Sequence, residues 1–380
     1  MIFDYETLKL VWWLFVGVLL VGFALTDGFD LGTAALLWFT ARNDEERRVV
    51  LNAIGPVWEG NQVWFITAGG ALFAAWPLVY AAAFSGFYFA LLLVLLALIL
   101  RPVGFDFRSK LPQPRWRALW DAGLVVSGAV PALVFGVAFG NLFLGVPFHY
   151  DDSLRPFYTG SFWALLNPFA LLSGVVSLSM LALHGALYTQ LRTEAPIAER
   201  ARRAALVTGA VYVAAFAAAG LWIATGIEGY RLASMPDANG VVTPLMQTAE
   251  RSAAGWLANY RAHPWMWLAP LAGFAGAALA MLSSAARKPG AGIAASGLAL
   301  AGTILTAGLA LFPFVLPSSS EPAQSLTLWN ATSSRGTLQV MFWAVVVFLP
   351  VVLAYTTWAY RKLRGKVTAE SVREQGSSAY

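Results

Sequence analysis

Long apolar runs separated by short polar clusters of arginine, glycine and proline dominate the chain. A helix that crosses the hydrocarbon core of a bilayer needs roughly 20 largely apolar residues. Nine runs are candidates: about 8–38, 53–76, 79–101, 118–140, 163–190, 203–226, 264–285, 291–313 and 337–360. Only Trp76-Pro77, a tight turn, separates the second from the third. The first run is too long for a simple crossing and is expected to tilt, to project beyond the bilayer, or to break at Gly28 or Gly32. The pattern predicts an all-α polytopic membrane protein forming one integral membrane domain over residues 1–380.

Composition supports that class. The chain is 58% hydrophobic and 12% charged, about half the charge of a soluble domain. Its net charge of +5 therefore reports loop placement, not affinity for nucleic acid. There is no cysteine, which excludes disulfides, iron–sulfur clusters, thiolate haem ligation and cysteine nucleophiles. The opening "MIFDYETLKLVWW" lacks a basic n-region and a small-residue cleavage site, so the run that follows is expected to be a retained span.

Basic residues orient the spans. The loops 40–52, 101–117, 191–203 and 286–290, with the tail from 361, hold 19 lysines and arginines; the opposite loops and the N-terminus hold 6. The first set is expected in the cytoplasm, which puts the N-terminus outside and, with nine spans, the C-terminus inside. The outer loops are the long ones, about 141–162, 227–263 and 314–336, and none resembles a separate domain. The tail "RKLRGKVTAESVREQGSSAY" is expected to be mobile at its end. Two halves of four spans with one extra helix are compatible with an ancient duplication, although no strong repeat is visible.

Ionisable residues inside spans are costly and mark function by default. They are Asp27 and Asp30 in "TDGFDLG", Glu59 in "PVWEGNQVWFIT", Asp106 in "LRPVGFDFRSK" and Asp121 in "RALWDAG". Asp27 and Asp30 share one helix face. Glu59 sits about six residues into its span, roughly 9 Å at helical rise. All lie in the half expected to face the cytoplasm, or at its boundary. Carboxyl groups in a low dielectric hold their protons to higher pH than in water, which suits proton uptake from inside. A structural reading stands beside this one. Asp27, Asp30 and Asp106 can pair with Arg101 or Arg108 and fasten helix ends. Pairing is the first reading for Asp106 and Asp121, and both readings stay open for Asp27 and Asp30. Glu59 has Asn61 and Gln62 beside it and no basic residue nearby, which favours a functional role. Gly60 and Gly69-Gly70 read first as close helix packing.

Of the three histidines, only His184 in "LALHGALYTQ" lies within a span. Met180 is one turn away, too close to place both on opposite faces of one haem, and His184 reads as a packing or hydrogen-bonding residue. No metal site is expected. Most of the sixteen tryptophans read as interfacial belts, and a minority as lining for a flat lipid-soluble ligand.

The stretches "GFALTDGFDLG", "NAIGPVWEGNQVWFITAGGALFAAWPLVYAAAFSGFY", "LRPVGFDFRSK", "VAFGNLFLGVPF" and "LFPFVLPSSSEPAQSLTLWNATSS" closely resemble subunit II of the cytochrome bd-type ubiquinol oxidases, from about residue 3 through Tyr380. The resemblance implies two four-helix bundles plus one peripheral helix. It implies a haem-bearing partner, subunit I, with two b-type haems and one d-type haem. The complex reduces dioxygen to water with electrons from ubiquinol and separates charge without pumping protons. Subunit II in this family carries no haem, supports haem assembly in its partner, and in some members holds a structural quinone; small accessory subunits are left open. A bacterial inner-membrane location follows. Glu59 matches a family carboxylate, aspartate in some relatives, at the subunit interface on a proton route from the cytoplasm. Asn61 and Gln62 would complete that path, with Asp27 and Asp30 feeding it or holding its electrostatics. Asp27, Asp30, Arg101 and Asp106 match recurring family residues and, with Arg108 and Asp121, form the expected charge network. A purely structural scaffold and, as a rival class, a secondary transporter are the alternatives.

Overall fold

The computed structural model describes residues 3–375, so Tyr380 and the end of the tail, on which mobility was expected, lie outside the described residues. The helices, in chain order, are α1 Tyr5–Leu25, α2 Asp27–Ala35, α3 Leu37–Thr40, α4 Asp44–Ile54, α5 Trp58–Ala75, α6 Pro77–Gly86, α7 Tyr88–Phe107 and α8 Pro114–Leu144. They continue as α9 Pro168–Arg192, α10 Ile197–Gly226, α11 Ala258–Ala262, α12 Leu268–Ala285, α13 Pro289–Leu311, α14 Arg335–Lys362 and α15 Ala369–Gln375. Three short antiparallel pairs interrupt the helical pattern: β1 Phe148–Tyr150 with β2 Pro156–Tyr158, β3 Gly229–Ser234 with β4 Thr248–Ser252, and β5 Phe314–Leu316 with β6 Leu326–Thr327.

Eight helical stretches among the described residues are long and apolar enough to cross a membrane. The chain is a multi-pass membrane protein. The remaining sequence candidate, 53–76, is shorter than its apolar run suggested: Ala53 and Ile54 close α4, and α5 begins only at Trp58, after Pro56. Glu59, Asn61 and Gln62 within the first two turns of α5 lower its apolar content. The first run does break, but at Thr26 instead of Gly28 or Gly32. Thr26 returns both its amide (3.0 Å) and its hydroxyl (2.7 Å) to the Gly22 carbonyl, and α2 restarts at Asp27. The two glycines serve contact instead. A Cβ at Gly32 would lie 1.9 Å from the Leu181 carbonyl oxygen, and one at Gly28 2.8 Å from the Leu181 side chain.

Contacts group α1–α2, α5, α7 and α8 into one bundle and α9, α10, α12 and α13 into a second, joined through α8–α9, α2–α9 and α1–α13. Small residues allow these crossings in the absence of a hydrophobic driving force; Gly136 meets Ser173 and Gly174, and Gly302 meets Gly273, at backbone contact. The long helix α14 is peripheral: it touches α1 and α5, and Leu338 is its one buried residue.

The three loops with strand pairs are knitted together at one end. Val146 exchanges backbone hydrogen bonds with Pro317 and Ser319, and Gln247 donates to the Ser325 carbonyl at 2.7 Å. The start of α1 belongs to this end, because Lys9 Nζ donates to the carbonyls of Ala238 (2.8 Å) and Trp329 (2.9 Å). The end of α5 is there too, where the Ser333 amide bonds Ala75 at 2.8 Å. The opposite end carries α4, the α7–α8 turn and α15, and Val367 bonds the Arg192 carbonyl there at 2.7 Å.

Candidate functional site

The break at Thr26 turns the first residues of α2 into the interior, and there Asp27 and Asp30 are fully buried. Asp27 Oδ1 accepts from Arg101 Nη1 at 2.5 Å, and both partners are 1% exposed. Arg101 reaches this depth because α7 continues through Pro102 to Phe107. Its guanidinium also lies 6.0 Å from the Trp58 ring, which stacks on Phe105 at 5.5 Å. Asp30 is bound differently. Its Oδ2 accepts from Asn61 Nδ2 at 2.7 Å, and Asn61 Oδ1 accepts from the Tyr360 hydroxyl at 2.6 Å. Asp30 Oδ1 and Arg101 Nε and Nη2 are buried with no protein partner. Buried water is the usual partner of such atoms in a polar interior.

A second ionic cluster lies towards the α4 end. Arg108, 1% exposed, donates through Nε to Asp121 Oδ1 at 2.5 Å and through Nη2 to Asp44 at 2.9 Å. Arg47 adds a 2.9 Å contact to Asp121, and Arg117 a 2.6 Å contact to Asp44. The pairing of Arg108 with Asp121 ties the end of α7 to the start of α8. Asp106 is exposed and joins no ion pair among the described residues.

Glu59 stands apart from both clusters. Residues two apart on a helix point to nearly opposite sides, so Asn61 faces Asp30 while Glu59 is exposed on the outside of α5. Gln62 is half-buried. The exposed strip continues along α5 through Val63, Ile66 and Phe73, which are 52%, 65% and 61% exposed. A Cβ at Gly60, Gly69 or Gly70 would meet nothing within 4 Å, so these glycines are not used for packing within this chain. The α5 helix thus joins an interior carboxyl network to an outward carboxylate.

A cavity of about 610 Å³ opens between the bundles, with Phe23, Phe135, Phe143, Phe169, Phe216 and Phe274 in its walls. Ser173, Ser177 and Thr303 are among its few polar side chains. Such an aromatic lining fits a flat apolar ligand. It does not offer haem ligation through His184: Nδ1 is 2.7 Å from the Ser296 hydroxyl, and Nε2 is 3.1 Å from the Leu25 carbonyl.

Tyr360, Asp44, Arg47 and Arg117 escaped the sequence reading. Tyr360 ends an apolar span far from Asn61 along the chain, and no local pattern pairs them. The three charged residues looked like ordinary loop charges; only Arg117, four positions before Asp121, carried a local signal.

The description "Cytochrome bd terminal oxidase subunit II" belongs to the family model that matches residues 8–363. Cytochrome bd-I ubiquinol oxidase subunit 2 of Escherichia coli is 52% identical over 377 residues, covering 99% of this chain and 100% of that protein. Cytochrome bd ubiquinol oxidase subunit 2 of Bacillus subtilis is 33% identical over 359 residues, with 94% and 96% covered. Among solved structures, a chain of the bd oxidase from Geobacillus thermodenitrificans superposes with a TM-score of 0.71 at 13% identity, covering 93% of this chain and 98% of that one.

Proposed function

The chain belongs to the cytochrome bd terminal oxidase subunit II family, and from that premise we propose that it is the haem-free half of a bacterial inner-membrane ubiquinol oxidase and delivers cytoplasmic protons to the haems of subunit I. In this reading α5 is the ninth crossing, the N-terminus lies outside and the C-terminus inside. The uncovered strip of α5 meets subunit I, which carries two b-type haems and one d-type haem and oxidises ubiquinol. The chain supports haem assembly there, and reduction of dioxygen to water on that side draws protons through this one, which charges the membrane.

One observation carries the reading: Glu59 heads an exposed apolar strip while Asn61, on the other side of the same helix, holds Asp30. A lone carboxylate on a lipid-facing strip is costly, and a protein partner relieves that cost. Glu59 would pass protons to the partner, and Asp27 and Asp30 would hold or refill the supply behind it. Gln62, half-buried beside them, lines the step between. A structural ubiquinone would sit in the aromatic cavity, whose size and apolar lining fit a prenylated ring.

The test is Glu59→Gln in the assembled complex. Proton transfer by a positioned side chain contributes roughly a hundredfold or more, so turnover and proton uptake should fall at least about tenfold while the haem spectrum stays unchanged. Full activity in Glu59→Gln ends the relay assignment and leaves a scaffold.

A further inference from the structure

The break in the first span exposes a backbone problem. At Phe29 the amide bonds back to Thr26 at 3.3 Å, three residues away instead of four, which turns it from the Leu25 carbonyl. At membrane depth a backbone carbonyl left without a donor is costly, and although the Leu25 side chain is 36% exposed, its carbonyl is turned to the interior side of α1 that meets α9. The partner of Leu25 comes from α9: His184, 1% exposed, lies with Nε2 at 3.1 Å from that oxygen.

The tautomer follows from the chemistry of the partners. A carbonyl only accepts, so Nε2 carries the hydrogen and, in the neutral ring, Nδ1 is the acceptor; the Ser296 hydroxyl, 2.7 Å away, shares its one hydrogen between Nδ1 and the Ile293 carbonyl at 3.0 Å. Both ring nitrogens are thereby committed, and the ring is held from two sides, by α1 and by α13. One turn further along α9, Tyr188 stacks on Phe29 at 3.9 Å. Between them, Gly185 lets α9 touch the backbone of Gly32 and Thr33. The segment of α9 from Leu181 to Tyr188 is therefore the surface against which α2 is set.

We infer that His184 is the positioning residue for the acid pair: by holding the Leu25 carbonyl it fixes the break at Thr26, and that break aims Asp27 at Arg101 and Asp30 at Asn61. The inference rests on the proton-delivery reading only for its effect on turnover; its effect on geometry stands alone.

The experiment uses the whole oxidase complex. His184→Leu removes the donor; His184→Gln keeps an amide hydrogen that reaches a carbonyl; Ser296→Ala frees the ring on its other side. Dicyclohexylcarbodiimide, which reacts with carboxyl groups in apolar surroundings, is applied and its adducts on Asp27 and Asp30 are quantified by peptide mass spectrometry. Labelling should rise several-fold in His184→Leu, rise less in Ser296→Ala, and return towards wild type in His184→Gln. Turnover should follow it, falling about tenfold at unchanged KM for quinol, since small misplacements of reacting groups cost up to about a hundredfold. Wild-type labelling in both His184→Leu and Ser296→Ala overturns the inference, whatever turnover does, and if His184→Leu does not assemble, Ser296→Ala and His184→Gln decide it alone. Raised labelling at full turnover keeps the positioning role and removes the acid pair from proton delivery.

Discussion

Tyr360, in the last turn of α14, donates its hydroxyl to Asn61 Oδ1 at 2.6 Å across a separation of 299 residues. That contact sets the Asn61 amide: with Oδ1 taken by a donor, Nδ2 is the group that faces Asp30. The peripheral helix thus reaches the buried carboxyl network through one side chain. Tyr360→Phe keeps the ring and deletes the donor. It leaves a buried amide oxygen unpaired, which costs about 1–3 kcal/mol, and frees Asn61 to flip. The thermal midpoint of the complex and its turnover should both fall. An unchanged turnover would mean that the orientation of Asn61 is irrelevant to the reaction.

The Asp27–Arg101 pair separates the two readings that the sequence left open. Both partners are 1% exposed, so removing one leaves an unpaired buried charge, at about 3–5 kcal/mol. Asp27→Leu and Arg101→Leu alone should each destabilise strongly, and the double variant should recover most of the loss, because apolar replacements of a buried pair are often near neutral. Thermal unfolding of the four proteins gives the stability cycle, and turnover gives a second one. Recovery of stability without recovery of turnover identifies a functional pair. Recovery of both identifies a fastener.

Hydrophobic runs located the membrane helices because the lipid requirement acts on every residue of a span. They located ends less well. The run at 53–76 hid the boundary after Ile54, since Ala53, Ile54 and Val57 are as apolar as the helix that follows, and only Pro56 marked the gap. Glycine misled at the first break: Gly28 and Gly32 looked like weak points, yet they are contact points for Leu181, and the break falls at Thr26, whose hydroxyl and amide both bond the Gly22 carbonyl. The buried acids were legible as a set, because charges stand out against lipid. Their partners were legible only where one was itself charged, as with Arg101; Asn61 was noticed as a neighbour of Glu59 but serves Asp30 instead. Long-range pairing through Tyr360 or His184 has no signature in one sequence.

Lys9 offers a stability test at the other end of the molecule. Its ammonium group is buried near the start of α1, donates to the Ala238 and Trp329 carbonyls, and lies 4.0 Å from the Tyr5 ring. It ties two of the long loops to the first helix. Lys9→Met preserves the length of the side chain but abandons these two carbonyls and a third, longer contact to the Gly240 carbonyl at 3.3 Å, at about 1–3 kcal/mol for each buried acceptor left unmade. Limited proteolysis should then cut within 235–247 faster than in the wild type, while the haem spectrum of the assembled complex stays the same. Equal cleavage rates would show that the loops are held without this clamp.

Glu46 gives a pH dependence whose sign can be worked out. It starts α4 together with Asn43: the Glu46 amide donates to the Asn43 side chain at 2.9 Å, and the Arg42 amide donates to Glu46 Oε2 at 2.7 Å. Arg200 binds both carboxylate oxygens, at 2.8 and 2.6 Å, which docks α4 on the first turn of α10. The Arg200 hydrogen bonds, aided by the Arg42 amide, hold this carboxyl below its ordinary value of 4.5 despite partial burial. A carboxyl depressed in the folded state adds stability that is complete above its unfolded value and is lost as pH falls through the folded one. The thermal midpoint of Glu46→Gln should therefore lie below that of the wild type at about pH 7, and the gap should close on acidification towards about pH 3. A gap that persists unchanged at acid pH would mean that the charge of Glu46 does not hold α4 in place.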